Sequence, residues 1–290
     1  MVPNWLDASV YPFTPKRFQT PAGEMSYVDE GQGDAFVFVH GNPSWSFEHR
    51  VLIQHFSKIF RCISADHIGF GLSDKPEDWS YLPVEHAKNL ENLLEFLDLQ
   101  NITMIVDDWG GPIGLSYAID HPERIQNIII TNTWLWSVKN DWYYQMFSKM
   151  MGGFVGRWLI QRFNFFVNGV LPMIFVDKKR FRTELKPYFQ APLAIPEERK
   201  GCWTFPWEIT ASSDWLASLW NRREVLNGKV KLIAWGTKDI AFRKKERETF
   251  VRQYPDAAVM IFDDAGHFVA EEQPEKLIAA IQLHVFNSDK

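Results

Sequence analysis

Short apolar runs alternate with longer stretches of helical period, and this alternation constrains the fold of the chain more than any other feature. The runs predict strands over residues 35–39, 61–65, 102–106, 125–130, 230–235 and 258–262. Four leucines fall at i, i+3, i+4 and i+7 and predict a helix that packs on the sheet: Leu90, Leu93, Leu94 and Leu97. Such alternation is typical of βα units on a mostly parallel sheet.

The alternation stops after residue 130 and returns only at residue 230. Residues 134–222 hold 20 of the 44 aromatic residues of the chain, in 89 positions. We predict a helical cap domain over 134–222, inserted into a core domain formed by 1–133 and 223–290. The surplus rings either line an apolar pocket or simply pack the cap against the core, and the sequence leaves both readings open.

Composition excludes several classes of protein. The formal charge is −5 and no long basic run occurs, so we expect neither a nucleic-acid nor a membrane partner. No apolar run reaches 18 residues, and the N-terminal segment does not resemble a cleaved secretory signal. Cys62 and Cys202 are too few for a disulfide framework and wrongly spaced for zinc. We expect a cytoplasmic protein without metal or cofactor.

Four candidate sites each follow a predicted strand, where ligands bind in open α/β sheets. They are His40-Gly41-Asn42-Pro43, Asp108, Asp239 and His267. Each also has a structural explanation, since Gly, Asn and Pro form turns, Asp caps helices, and a loop histidine can simply satisfy its ring.

The stretch IVDDWGGP (105–112) resembles a nucleophile elbow, a sharp strand-to-helix turn that needs small residues nearby. Counting back two places from Gly110 puts the nucleophile at Asp108 and gives Asp107 only a structural role at the strand end. The glycine usual two places before the nucleophile is Val106 here, which departs from the generic motif. Nucleophile, acid and histidine then follow one another in the order Asp108, Asp239, His267, each after a successive core strand.

Over nearly its whole length the chain resembles the haloalkane dehalogenases of the α/β-hydrolase superfamily. The resemblance is carried by VHGNPSWSFEHR (39–50), SADHIGFGLSDKP (64–76), VDDWGGPIGLSYAIDHPERI (106–125), FNFFVNGVLP (163–172), WGTKDIAF (235–242) and DDAGHFVAEEQPE (263–275). It implies an α/β-hydrolase fold, with a mostly parallel central sheet and an inserted helical cap.

The resemblance also implies roles for individual residues. Asp108 would be the nucleophile, His267 the general base and Asp239 the acid that supports it. Asn42 and Trp109 would bind the halide with their side chains and form an oxyanion hole with their backbone N–H groups. Three aromatic residues are expected at the pocket wall, the last two as looser guesses: Phe166, Trp134 and Phe205.

Some family members carry a glutamate as the acid after the strand that precedes the cap. This chain has Asn132 there, and an amide cannot act as a carboxylate, so Asp239 is the better candidate.

The function implied is hydrolysis of a haloalkane to alcohol, halide and proton through an alkyl ester on Asp108. The partners would be a halogenated small molecule, water and halide, and a homo-oligomer remains possible.

An epoxide hydrolase would use the same residues, with cap tyrosines such as Tyr143, Tyr144 and Tyr188 on the epoxide oxygen. A haloacid dehalogenase would need arginines that we cannot place. Luciferases of the coelenterazine type resemble the glutamate branch instead. A non-catalytic binding protein on the same fold is a further alternative, although an intact triad with two halide donors argues against it.

Overall fold

Residues 3–286 are described by the computed structural model of the chain. Eight strands form one sheet: β1 (Lys16–Thr20), β2 (Gly23–Glu30), β3 (Ala35–Val39), β4 (Arg61–Ala65), β5 (Ile102–Asp108), β6 (Ile125–Thr133), β7 (Val230–Gly236) and β8 (Ala258–Phe262). The order across the sheet is β1-β2-β4-β3-β5-β6-β7-β8. The pairs β1/β2 and β2/β4 are antiparallel and all others are parallel, so the predicted fold class is confirmed.

All six predicted strands are present, and β3, β4 and β8 have the predicted bounds. The sequence reading missed β1 and β2, the antiparallel pair at one edge of the sheet. β1 exposes most of its residues to solvent and carries no apolar run, which removes the signal that identified the central strands. β5 lies between β3 and β6 and is buried along almost its whole length, as its unbroken apolar run predicts.

Within residues 3–286, thirteen α-helices accompany the sheet: α1 (Arg50–Phe56), α2 (Pro83–Phe96), α3 (Gly110–Asp120), α4 (Trp142–Gly152), α5 (Phe154–Phe163), α6 (Leu171–Ile174), α7 (Lys178–Arg180), α8 (Lys186–Gln190), α9 (Lys200–Ala211), α10 (Ser213–Arg222), α11 (Lys244–Gln253), α12 (Val269–Glu272) and α13 (Pro274–Ile281). Short π segments at Phe166–Val170, Phe181–Leu185 and Gln282–Phe286 continue several of them. None of the helices in residues 3–286 is both long and apolar enough to cross a bilayer.

The core helices pack as the leucine pattern indicates. Leu90, Leu93 and Leu94 of α2 are buried, and α2 contacts α3, which lies on β3, β5 and β6. Seven helices, α4 to α10, lie between β6 and β7, in the segment predicted to form the cap. Each of the four candidate sites lies at or after the end of a parallel strand, so all four lie at the carboxyl edge of the sheet. The cap segment begins at the same edge, after β6.

Candidate active site

Asp108 is the last residue of β5 and has a left-handed backbone conformation, with φ of 45°. This strained turn lifts its side chain off the strand end before α3 begins. Gly110 gives the turn its clearance, because a Cβ there would collide with the carbonyl of Val39. Val106, the departure from the generic motif, is accommodated by Gly114 of α3, where an added Cβ would press on the Val106 side chain.

The carboxylate of Asp108 is oriented by a backbone donor. The N–H of Asn42 donates to its Oδ1 atom at 2.7 Å. Burial raises the pKa of Asp108, whereas the nearby His267 and the backbone N–H groups of Asn42 and Trp109 oppose that rise. One oxygen is thus held in the backbone pocket predicted as an oxyanion hole.

His267 and Asp239 meet on the other side of the carboxylate. His267 Nδ1 lies 2.9 Å from Asp239 Oδ2, and His267 Nε2 lies 3.8 Å from Asp108 Oδ2. Burial alone would lower the pKa of His267, but Asp239, Asp108 and Asp107 raise it to about 10. The surrounding carboxylates therefore favour the protonated imidazole in the free protein.

Asn132, which the sequence reading set aside as an acid, holds Asp239 in place. Its Nδ2 donates to Asp239 Oδ2 at 2.8 Å, and its Oδ1 accepts the N–H of Gly236 at 2.9 Å. The N–H of Ala241 donates to the other oxygen, Asp239 Oδ1, at 2.6 Å. The amide, at the second-last residue of β6, therefore supports the acid.

The loop that carries His267 is tied to the cap by Glu272. This half-buried carboxylate accepts the N–H of Gly266 at 2.7 Å and the N–H of Val176 at 2.6 Å. In addition, the N–H of His267 donates to the carbonyl of Ile174 at 3.4 Å. The loop of the histidine is thus linked to the end of α6 by one direct hydrogen bond, and to the residues after α6 through Glu272.

An apolar cavity of about 110 Å³ lies against Asp108 and His267. Asn42 and Trp109 border it, as do the predicted wall residues Phe166 and Trp134. The sequence reading missed further lining residues, most of them in the cap segment: Tyr143, Tyr144, Phe147, Val170, Ile174, Pro206, Ile209, Ile240, Ala241 and Phe242. Nothing in their local sequence separates them from the rings that merely fill the cap.

Phe205 does not line this cavity, and that prediction is wrong. Its ring is fully buried, 5.1 Å from the ring of Trp109 and 4.9 Å from that of His86. The next residue of α9, Pro206, borders the cavity instead. Phe205 therefore supports Trp109 from behind.

Trp134 brings a polar group that the sequence reading overlooked. Its ring meets that of Trp109 edge-on at 4.6 Å, and its indole N–H is buried with no acceptor among residues 3–286. The Oδ1 atom of Asn42 is likewise buried without a partner among these residues. Buried polar groups normally have partners, so this wall is polar enough to hold a small charged group.

The two cap tyrosines at the cavity already use their hydroxyl protons. Tyr143 donates to the carbonyl of Ile240, and Tyr144 donates to that of Ala241 at 3.3 Å. A hydroxyl has a single proton to donate, so neither is free to donate to a substrate oxygen. Tyr188, the third cap tyrosine, does not line the cavity.

Asp107 belongs to a buried polar cluster with Glu48 and His49. His49 Nε2 lies 3.3 Å from Asp107 Oδ1, and one ligand-type atom from each of the three residues lies within 4.8 Å of the others. Burial raises the pKa of Asp107 to about 7, and burial together with Asp107 raises that of Glu48. Four polar atoms of the cluster have no hydrogen-bond partner among residues 3–286: Glu48 Oε2, His49 Nδ1, Asp107 Oδ1 and Asp107 Oδ2.

Comparison with known proteins agrees with the fold. A family model described as the alpha/beta hydrolase fold matches residues 34–274. The chain is therefore a member of the α/β-hydrolase-fold class, with its acidic nucleophile candidate at the elbow.

Individual relatives narrow the class. Haloalkane dehalogenase 2 of Mycobacterium tuberculosis is 33% identical, over 95% of this chain and 96% of the relative. The cis-3-alkyl-4-alkyloxetan-2-one decarboxylase of Xanthomonas campestris is 35% identical, over 94% and 96%. Among solved structures, the haloalkane dehalogenase DatA of Agrobacterium tumefaciens is similar with a TM-score of 0.82 and 22% identity, over 96% of this chain and 98% of the other. The chain belongs to the haloalkane dehalogenase family.

Proposed function

We propose that the protein hydrolyses haloalkanes through a covalent alkyl ester on Asp108. The observation that carries the proposal is the placement of the Asp108 carboxylate, with one oxygen in a backbone pocket and the other between an apolar cavity and His267. A carboxylate can displace halide from saturated carbon directly and needs no base to activate it.

In the first step Asp108 Oδ2 attacks the halogen-bearing carbon, because Oδ1 is engaged by the N–H of Asn42. The new C–O bond forms as the carbon–halogen bond breaks, and halide departs with the electron pair. The side chains of Asn42 and Trp109, which border the cavity, supply N–H donors to the departing halide.

In the second step water attacks the carboxyl carbon of the ester while His267 Nε2 takes its proton. Negative charge then develops on Oδ1, which already accepts the N–H of Asn42. As the tetrahedral intermediate collapses, the bond between the carboxyl carbon and Oδ2 breaks, the alkoxide leaves as alcohol with the second proton of the water, and Asp108 returns to a carboxylate. Alkylation of Asp108 removes one of the charges that raise the pKa of His267 and so lowers that pKa. The imidazole releases its proton to solvent before it acts as the base and again after each turnover.

The size of the cavity limits the substrate. An engineered cavity of about 150 Å³ accepts benzene, so 110 Å³ suits the reacting end of a short haloalkane. Longer chains must pass the rim formed by Tyr143, Phe147, Val170 and Ile240. We therefore expect short and mid-length bromoalkanes to react.

A second function is favoured by the similarity to the Xanthomonas decarboxylase. Its substrate, as named, is a four-membered lactone with two alkyl substituents. Asp108 could open such a ring by attack at C4, with the ring oxygen leaving as a carboxylate held by Asn42 and Trp109. Loss of carbon dioxide would then form the alkene and expel Asp108, without water and without a base.

The hydroxyls of Tyr143 and Tyr144 donate to backbone carbonyls, which argues against an epoxide hydrolase. The dehalogenase and the decarboxylase differ instead in their need for His267 as a base.

The test incubates purified protein with a panel of short and mid-length bromoalkanes and, separately, with a cis-dialkyl β-lactone. We expect release of bromide and acid from the bromoalkanes, measured by ion chromatography and a pH indicator, and loss of both in Asp108→Ala. Alkene formation without bromide release would establish the decarboxylase instead. Opening of an epoxide panel without either product would contradict both.

A further inference from the structure

The outward side of α4 and α5 exposes an unusual amount of apolar surface. Phe154 is 87% exposed and Trp142 is 70% exposed, and further exposed residues follow on the same segment: Met146, Met150, Val155, Trp158, Phe163 and Met173. Monomeric proteins rarely expose apolar patches larger than a few hundred Å², and such patches usually mark a contact with a partner or a membrane.

Part of this surface forms a groove of about 680 Å³, here called the cap groove. Five lining residues from helices α4 to α6 are exposed apolar side chains: Met146, Met150, Phe154, Val155 and Met173. Four other lining residues also border the cavity at Asp108: Tyr143, Phe147, Val170 and Ile240. The cap groove therefore lies directly outside the entrance to the candidate active site.

The segment 142–176 is positively charged, whereas the whole chain is negatively charged. Residues 142–176 contain Lys149, Arg157 and Arg162 and no Asp or Glu, whereas the whole chain carries −5. Lys149 and Arg162 are exposed, and Lys149 lines the cap groove. The guanidinium of Arg157 lies over the ring of Trp203, with its carbon 4.6 Å from the ring centroid.

Exposed aromatic and aliphatic side chains with interspersed cations, on helices that lie along the surface, fit the interface of an anionic bilayer. Trp favours the headgroup level, and each Lys or Arg near an anionic leaflet strengthens binding. A second copy of the chain fits less well, because a two-fold contact through residues 142–176 would gather the cations of both copies with no acidic residue of this segment to pair with them.

We propose that the cap groove docks on the surface of an anionic lipid bilayer, so that the four side chains shared with the cavity at Asp108 face the apolar phase. Apolar substrates concentrated there would enter between Tyr143, Phe147, Val170 and Ile240 without crossing water. The proposal revises our expectation of no membrane partner, which rested on the net charge of the whole chain. It does not rest on the proposed chemistry, because its test measures binding alone.

The test is flotation of the full chain with vesicles of phosphatidylcholine, alone or mixed with phosphatidylglycerol, at low and at high salt. We expect binding to the anionic vesicles at low salt, much weaker binding to the neutral ones, and weakening at high salt. Absence of binding to anionic vesicles at low salt would overturn the proposal.

Two variants separate the apolar and the charged contributions. Phe154→Asp with Met150→Asp should abolish flotation, and Lys149→Glu with Arg162→Glu should reduce the partition coefficient by at least roughly fivefold per cation. The matched control is Phe96→Asp on α2, since Phe96 is 65% exposed and lines no part of the cap groove. Circular dichroism and thermal melting verify that each variant is folded.

Self-association is measured on the same proteins by analytical ultracentrifugation. A wild-type oligomer that Phe154→Asp with Met150→Asp dissociates, in a protein that binds no vesicles, would assign the face to subunit contact and overturn the proposal. Flotation that falls equally in Phe96→Asp and in Phe154→Asp with Met150→Asp would also overturn the proposal. The loss of binding would then not be specific to the cap groove.

Discussion

The two halves of the candidate active site are built in different ways. On the core side, Asp108, His267 and Asp239 are each fixed by at least one hydrogen bond of 2.6–2.9 Å. On the cap side, Phe147, Phe166 and Val170 meet the cavity through apolar contact alone. The difference indicates that the core side performs bond chemistry, which needs fixed distances, whereas the cap side selects substrates by shape and apolar area.

The largest effect should come from His267→Ala, which removes the base and leaves the nucleophile. Turnover should fall by about 10⁴-fold, at the upper end of general-base contributions, and the alkyl ester should accumulate on Asp108. Intact mass spectrometry after incubation with bromoalkane measures the added mass. His121→Ala, at the end of α3, serves as the control, and normal turnover by His267→Ala would contradict the mechanism.

The halide donor on the core side is tested by Trp109→Phe, which keeps a ring and removes the N–H. We expect kcat to fall by about 10²–10³-fold with a smaller change in KM, because the donor acts most strongly on the departing halide. Steady-state bromide release measures both constants. Trp215→Phe, in α10 and outside the cavity lining, is the matched control; an equal loss in both variants would assign the effect to packing.

The variant Asp107→Asn tests whether every carboxylate on the core side takes part in the reaction. The pKa of Asp107 is about 7 in the folded protein, above the unfolded value, so the folded state keeps a proton that the unfolded state loses. The free energy of unfolding of the wild type should therefore fall, relative to Asp107→Asn, as pH rises from about 4 to about 7. Above that range we expect the free energy of unfolding of Asp107→Asn, relative to that of the wild type, to be higher by on the order of 2 kcal/mol than it is near pH 4.

Urea unfolding of wild type and Asp107→Asn below and above this pH range measures the gain. A difference that does not change with pH would show that Asp107 is charged in both states. The variant should also lower the pKa of His267, since Asp107 is one of the charges that raise it.

The smallest effect should come from the cap side, with Phe147→Ala. Loss of apolar contact at the entrance should raise KM for mid-length bromoalkanes by about tenfold and leave kcat nearly unchanged. Phe147→Leu, which keeps most of the apolar area, is the control. A loss of kcat as large as that of Trp109→Phe would contradict the division of roles between the core side and the cap side.

The same division explains what the sequence could predict. Asp108, Asp239 and His267 each follow a strand with a strong apolar signal, so their meeting at one sheet edge follows from topology. Phe205 and Pro206 are adjacent in α9, yet only Pro206 reaches the cavity. Which of two neighbouring residues faces a pocket depends on how several short helices pack, and apolar contacts leave no motif in the sequence.

Asn132 and Glu48 show a second limit. The amide of Asn132 holds Asp239, and Glu48 lies beside Asp107, 59 positions away in the chain. Such polar partners are recognisable only once the loops of neighbouring strands are in place, because each partner alone has an ordinary turn or helix explanation.

Glu272 also has a consequence for how fast substrate enters the site and product leaves it. Since its carboxylate accepts N–H groups from both the loop of His267 and the segment after α6, lifting the cap as a lid would break charge-assisted hydrogen bonds. Passage through rotation of Tyr143, Phe147 and Ile240 leaves these bonds intact. Side-chain rotations are faster than hinge motions by orders of magnitude, so product escape need not await a domain movement.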